Sequence, residues 1–152
     1  MSKELVRTSS TVGESNLHLQ VTPAYRRDIF SDSNVKDLVR IFIHDKLKQL
    51  GVTILAEDCG PDHWHFFLAN WKHYSIEKIA QYVKGYSSYM IRTHYNHLIK
   101  HKLWGNKFWS EGYFYRTVGV VTKETMQHYI EETQSKHWTT HKNKQTTLLY
   151  FN

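Results

Sequence analysis

Two histidines separated by one residue form the part of the chain best suited to chemistry. His63 and His65 flank Trp64 in a run that continues as an apolar segment to Ala69. Alternate residues of a β-strand point to the same side, so the two imidazoles would lie together while Trp64 faces a core. Two adjacent imidazoles can bind one divalent metal ion. The spacing therefore indicates a metal site on a strand.

The setting of the pair carries more weight than the pair itself. Eleven histidines in 152 residues give roughly 0.8 His-x-His pairs by chance. Two sheet histidines that serve only as hydrogen-bonded structural residues are therefore an alternative. The turn Gly60-Pro61-Asp62 leads directly into the strand that bears the pair.

Tyr129 is a second candidate for chemistry, because a phenol oxygen can form a covalent link to phosphate. It follows Thr122, which can cap a helix, and Met126 and Ile130 supply that helix with an apolar side. The chain has ten tyrosines, and most tyrosines are core or interface residues. From its spacing alone, a structural role is the favoured interpretation of Tyr129.

The charge balance favours a polyanionic partner. Twenty Lys and Arg stand against fourteen Asp and Glu, which gives a net charge of +6 and a pI near 9.3. Ordinary surface charge is the alternative. Basic residues such as Arg26, Arg27 and Lys84 could contact the phosphates of such a partner.

Composition also excludes several classes of protein. Cys59 is the single cysteine, so no disulfide framework can form within the chain, and a reducing compartment is expected. The sequence contains no apolar run near 18 residues, no signal-type apolar core at the N-terminus and no phosphate-binding glycine loop. We expect a soluble cytoplasmic protein that does not bind a membrane and does not use ATP.

The elements that must position these residues follow from the apolar periodicity. Alternation of apolar and polar residues predicts a strand at 17–21, and runs rich in apolar, aromatic or β-branched residues predict strands at 52–58, 63–69 and 113–120. Helical periodicity predicts helices from 35 to 50, from 76 to about 91, and after Thr122, with Ser33 or Asn34 and then Ser75 as caps. Residues 94–108 are rich in His, Lys and Asn and are predicted to form a basic loop.

The order β-α-β-β-α-β-α predicts an α+β fold. We expect an antiparallel β-sheet with helices packed on one face, in the ferredoxin-like or RRM-like style, which hosts many functions. The predicted organisation is a loose N-terminal arm at 1–14, one domain at 15–135 and a C-terminal tail at 136–152. The apolar end of that tail, at 148–151, is expected to dock on this chain or on a partner.

Pro61-Asp62-His63-Trp64-His65 followed by an apolar strand resembles the HUH transposases. Within that class, the chain is similar to the single-tyrosine group, the TnpA-type transposases of minimal insertion sequences. Val21 and Ala24 depart from that group, which usually has Trp and Lys there. The resemblance covers about residues 16–135, and its further segments follow in the family's order at 17–27, 84–88, 103–104, 108–114, 117–122 and 129–130.

The resemblance implies a metal-dependent transposase that cleaves and rejoins single-stranded DNA at insertion-sequence ends. Tyr129 would be the nucleophile and would form a 5′-phosphotyrosine, while His63 and His65 would hold Mg²⁺ or Mn²⁺. It also implies recognition of DNA hairpins, a homodimer in which the tyrosine helix of one subunit reaches the histidines of the other, and a nucleoid-associated place in a prokaryotic cytoplasm.

The third metal ligand departs from the family pattern. The family typically has Gln four residues after the nucleophile, where this chain has Thr133. Gln134 lies one residue too late and Glu132 one too early on an ideal helix, so all three remain candidates. The departure favours one alternative, a non-enzymatic nucleic-acid-binding module of the same fold. A zinc hydrolase that uses the histidine pair and forms no covalent intermediate is a further alternative, for which the sequence offers no convincing third zinc ligand or general base.

Overall fold

The predicted strands assemble into one antiparallel sheet. The computed structural model describes residues 6–7, 12–13, 15–103, 105–137 and 147–150. The sheet has the order β6-β3-β5-β4-β7, and a separate two-stranded hairpin pairs β1 with β2. The strands are β1 (Val6–Arg7), β2 (Val12–Gly13), β3 (Asn16–Val21), β4 (Thr53–Gly60), β5 (His63–Ala69), β6 (Phe114–Val118) and β7 (Thr147–Tyr150).

The described residues also form three α-helices: α1 (Ser33–Gln49), α2 (Ile76–Ile99) and α3 (Lys123–His137). Asp32, rather than Ser33 or Asn34, caps α1 by accepting hydrogen bonds from two backbone amides of the first turn. The caps predicted at Ser75 and Thr122 are confirmed, because each hydroxyl accepts from the amide three residues later.

Helix α2 extends beyond its predicted end. Residues 94–99 were expected to begin a basic loop, but they continue the helix to Ile99. Tyr95 and Leu98 pack against the main core and Ile99 is fully buried, so the apolar positions recur with helical spacing. The polar residues that suggested a loop occupy the solvent side of that helix.

The predicted fold class is confirmed, with one difference in the placement of a helix. On one face of the sheet, Trp64 and Phe66 pack with α1 and α2 in the main core. On the other face, Met126 and Ile130 of α3 pack with Phe67 in a smaller cluster. The helices therefore lie on both faces rather than on one, and α3 shares the face to which the two histidines belong.

The C-terminal segment also has a place in the fold. Residues Thr147–Tyr150 form β7, which pairs antiparallel with β4 from Ala56 to Cys59. The apolar end of the tail is thus an edge strand of this chain's own sheet, one of the two alternatives that the sequence left open. None of the helices in the described ranges is long and apolar enough to cross a membrane.

Candidate metal centre and tyrosine site

A row of buried polar side chains crosses the middle of the sheet. His65 on β5 lies directly opposite Gln20 on β3 and Asp58 on β4. Directly opposed residues of antiparallel strands point to the same face. His63 shares that face because it is two residues from His65. All four side chains are at most 5% exposed.

Three members of this row form a candidate metal centre. The ligand atoms of Asp58, His63 and His65 all lie within 4.8 Å of one another. His63 Nε2, His65 Nε2 and both oxygens of Asp58 have no hydrogen-bond partner among the described residues. Buried polar atoms without partners are costly, so this arrangement calls for a bound group. Two imidazole nitrogens and a carboxylate are a donor set that fits a divalent cation.

Burial sets the charge state of these groups. Burial lowers the pKa of His65 well below its ordinary 6.5, and the neighbouring His18 and His63 lower it further. Burial raises the pKa of Asp58 from 3.8 to about 7. His65 is therefore neutral, as a metal ligand must be, and Asp58 binds its proton unusually tightly. A divalent cation at the centre would compensate the buried carboxylate.

Each histidine is held through its second ring nitrogen. His63 Nδ1 lies 3.0 Å from Asp62 Oδ1, and the other oxygen of Asp62 lies 3.3 Å from Arg26 Nη2. His65 Nδ1 lies 2.8 Å from His18 Nε2. Such partners fix the orientation of a ligating imidazole and leave its Nε2 free for the cation.

Gly60 is the residue opposite His63, and its lack of a side chain makes room for the imidazole. A β-carbon at Gly60 would lie 2.7 Å from His63 Nε2, closer than van der Waals contact allows. The glycine is therefore required by the close approach of the ring to the backbone of β4.

Tyr129 lies on the same face as the metal centre. Helix α3 is anchored by Met126 and Ile130 in the smaller cluster, and Tyr129 packs against that cluster while remaining half-buried. Its ring centroid is 6.4 Å from that of His18, the residue that holds His65. The guanidinium of Arg116 lies 5.3 Å from the centre of the Tyr129 ring. The structure thus brings the three predicted residues Tyr129, His63 and His65 to one face.

The candidates for a third metal ligand on α3 are engaged elsewhere where the structure describes them. Glu132 pairs with Arg116 at 2.6 Å, and the Thr133 hydroxyl donates a hydrogen bond to the Tyr129 carbonyl oxygen. The side chain of Gln134 lies outside the described residues. Asp58, which the sequence analysis did not select, stands in the ligand cluster instead.

A register count could have found Asp58. The β4–β5 hairpin turns through Pro61 and Asp62, and Gly60 pairs with His63. Counting back two residues on β4 and forward two on β5 places Asp58 opposite His65. The tight turn sets the pairing of the two strands, and that pairing identifies the residue of β4 that faces His65.

The basic residues that were expected to contact DNA are dispersed. Arg26 pairs with Asp62 beside the metal centre, and Arg27 is exposed next to it. Lys84 lies on α2, where its ammonium donates hydrogen bonds to the carbonyl oxygens of Glu111 and Gly112. Burial lowers the pKa of Lys84. Lys84 therefore secures the loop before β6, on the side of the sheet opposite the histidines.

Comparison with known proteins finds a matching family model and similar chains. A family model described as IS200-like transposase matches residues 11–133. The ISDra2 transposase TnpA of Deinococcus radiodurans is 28% identical over 133 residues, which cover 88% of this chain and 94% of that protein. The transposase for the insertion sequence element IS200 of Salmonella typhimurium is 30% identical over 118 residues, 76% of each chain.

Two solved structures share the fold. A crystal structure assigned as a transposase from Deinococcus radiodurans superposes with a TM-score of 0.68 at 26% identity, over 84% of this chain and 97% of that one. A REP-associated tyrosine transposase bound to a REP hairpin superposes with a TM-score of 0.53 at 17% identity. The second likeness covers 91% of this chain and 75% of that one, and it bears on the fold alone.

Proposed function

Because the chain belongs to the IS200-like transposase family, we propose that it cleaves and rejoins single-stranded DNA at insertion-sequence ends with Tyr129 as the nucleophile. The observation that carries the proposal is the shared face: Tyr129 and the Asp58, His63 and His65 cluster lie on the same side of the sheet. A nucleophile on the same face as a centre that can bind a cation is an arrangement suited to phosphodiester transfer.

In the proposed cleavage, the Tyr129 oxygen attacks the scissile phosphorus. A new bond joins that oxygen to phosphorus and the bond to the 3′ oxygen breaks, so the phenol proton is lost and the departing 3′ oxygen gains one. The product is a 5′-phosphotyrosine and a free 3′-OH. In the reverse step, a 3′-OH attacks the phosphotyrosine, which reseals a strand and releases Tyr129. The bond is exchanged rather than hydrolysed, so no ATP is consumed.

His63, His65 and Asp58 would hold the cation, Mg²⁺ or Mn²⁺, which when bound polarises and orients the scissile phosphate. Asp58 takes the role of third protein ligand that the sequence analysis sought at residues 132–134. Around that centre, Asp62 fixes the His63 ring and Arg26 holds Asp62 in turn. The Arg116 guanidinium lies 5.3 Å from the centre of the Tyr129 ring, within the range of a cation–π contact, and so helps to hold that ring in place.

The proposed substrate is a hairpin with an unpaired cleavage site. The solved REP-associated tyrosine transposase of similar fold is bound to a hairpin, and we extend that mode of recognition to this chain. The net charge of +6 favours binding to a DNA backbone. Arg27, exposed beside the Arg26–Asp62 pair, is the basic residue that we propose to contact phosphates near the cleavage site.

The contacts of the described chain favour a site assembled within one subunit. Met126 and Ile130 seat α3 on the chain's own sheet, and this brings Tyr129 beside its own His18. The homodimer with exchanged tyrosine helices stays a prediction from the resemblance. A homodimer of self-contained sites is compatible with these contacts.

A metal-dependent hydrolase without a covalent intermediate is a second candidate, favoured by one observation. Asp58 completes a set of two histidines and one carboxylate, which is a ligand pattern of hydrolytic zinc sites. The two candidates differ in the fate of the DNA end. A hydrolase releases both ends, whereas the transposase keeps one end attached to Tyr129.

The test is incubation of the protein with labelled single-stranded hairpin DNA from the ends of its own element, followed by a denaturing gel. We expect a slow-migrating adduct with Mg²⁺ or Mn²⁺, none with chelator, and none with Tyr129→Phe. Tyr115→Phe is the matched control, because Tyr115 is an exposed tyrosine on β6 that lies opposite Leu19, a residue of the main core face. Metal-dependent cleavage without any adduct would select the hydrolase, and binding without cleavage would select the binding module.

A further inference from the structure

His18 is a buried histidine beside the metal centre that the proposed reaction does not itself use. It lies on β3 with no exposed surface, and its ring stacks on Phe67 with centroids 4.6 Å apart and planes 9° apart. Its Nε2 lies 2.8 Å from His65 Nδ1. Stacking and burial leave the ring little freedom, so the geometry of the hydrogen bond to His65 is fixed.

The bond between the two rings contains one proton, and its position decides what His65 can do. If His18 Nε2 carries the proton, a neutral His65 must carry its own proton on Nε2, which blocks that atom as a ligand. If His65 Nδ1 carries the proton, the Nε2 lone pair is available to a cation. Only the second arrangement fits a metal centre at His65 Nε2, and it requires His18 to be the acceptor.

We propose that His18 is a positioning residue of the metal centre: it accepts the Nδ1 proton of His65 and so holds the Nε2 lone pair of His65 toward the cation. The inference rests on the proposed metal binding by His63 and His65. It extends that proposal by giving the two ligands different supports, a carboxylate for His63 and a neutral imidazole for His65.

The choice of an imidazole has a consequence for the substrate. A carboxylate in place of His18 would add negative charge near Tyr129, whose ring lies 6.4 Å from that of His18. The attacked phosphodiester is itself an anion, so such a charge would repel it. A neutral acceptor orients His65 without that repulsion.

The first experiment measures Mn²⁺ binding to the purified full chain by calorimetry, without DNA. His18→Leu removes the acceptor and should weaken Mn²⁺ affinity roughly tenfold or more. His18→Gln offers a carbonyl oxygen near the position of Nε2 and should retain most of the affinity. His94→Leu is the matched control, since His94 is exposed on α2, and it should bind Mn²⁺ as the unmutated chain does.

The second experiment examines the unmutated chain and does not depend on how the variants fold. In protein saturated with diamagnetic Mg²⁺, nitrogen NMR should show a coupling across the hydrogen bond between His65 Nδ1 and His18 Nε2, with the proton on His65. Absence of this coupling, or a proton on His18 Nε2, would overturn the inference.

His65→Ala separates failure of the inference from failure of the metal site. If His65→Ala abolishes Mn²⁺ binding and His18→Leu leaves the affinity unchanged, the metal site stands and the role of His18 is refuted. If His65→Ala also leaves the affinity unchanged, the metal site itself is refuted, and the role of His18 with it.

Discussion

Replacement of Asp58 by asparagine separates the two properties that the structure gives this residue. The carboxylate is 1% exposed and has no hydrogen-bond partner among the described residues, and burial raises its pKa from 3.8 to about 7. In the metal-free protein it is therefore a destabilising charge whenever it is ionised. In the metal-bound protein it is a ligand. Asp58→Asn should relieve the first effect and weaken the second.

The size of the expected change in stability follows from the pKa of Asp58. Between 3.8 and about 7 the folded chain binds more protons at Asp58 than the unfolded chain, so this group's contribution to stability falls as pH rises. The shift of about three pKa units corresponds to a total loss of about 4 kcal/mol in the free energy of unfolding. About 2.5 kcal/mol of that loss occurs between pH 5 and pH 8. The asparagine variant lacks this loss, so its stability relative to the unmutated chain should rise by that amount.

The assay is urea unfolding in chelator at pH 5 and pH 8, for the unmutated chain and for Asp58→Asn. Burial lowers the pKa of His18 to about 4 and also lowers the pKa of His65, so these groups give stability that rises with pH up to about 6.5. Both proteins contain them, and the difference between the proteins isolates Asp58. A difference that stays constant from pH 5 to pH 8 would refute the reasoning.

Three further predictions follow from the site. Gly60→Ala should displace the His63 ring and lower Mn²⁺ affinity roughly tenfold or more, with circular dichroism unchanged; unaltered Mn²⁺ binding in calorimetry would show that the ring does not need this space. Glu132→Gln removes an exposed ion pair with Arg116 that contributes about 0–1 kcal/mol to stability. It should leave the Mn²⁺ affinity unchanged, because Glu132 pairs with Arg116 and not with the metal centre. A tenfold loss of affinity would instead identify Glu132 as a ligand. When one chain carries His65→Ala and a co-expressed chain carries Tyr129→Phe, no adduct should appear on a denaturing gel, because each self-contained site then has one defect. Recovery of the adduct would mean that Tyr129 of one chain acts with the histidines of the other.

The hairpin that bears the histidines was the most predictable part of the molecule. The strand His63–Ala69 has its predicted bounds, because a short apolar run and a preceding proline turn are both local signals that act over a few residues. Asp58 was within reach of the same local argument, since the two-residue turn imposes its position opposite His65.

Features that depend on distant contacts were harder to predict. The sequence of α3 has the pattern of an ordinary amphipathic helix, and that pattern does not determine which face of the sheet Met126 and Ile130 cover. The bond between His18 and His65 joins residues 47 positions apart, so it follows from the β3–β5 register and not from any local motif. Strand β7 likewise depends on the free edge of β4, which only the assembled sheet defines.

The central claim, that Tyr129 forms the covalent link to DNA, is tested most directly by peptide mapping of the adduct. Trypsin cleaves after Lys123 and Lys136, which releases residues 124–136 with Tyr129 as their single tyrosine. The adduct is formed with Mg²⁺, its DNA is trimmed with nuclease, and the peptides are analysed by mass spectrometry. The remaining nucleotide phosphate should lie on that peptide, at the tyrosine. A nucleotide on any other peptide would contradict the account.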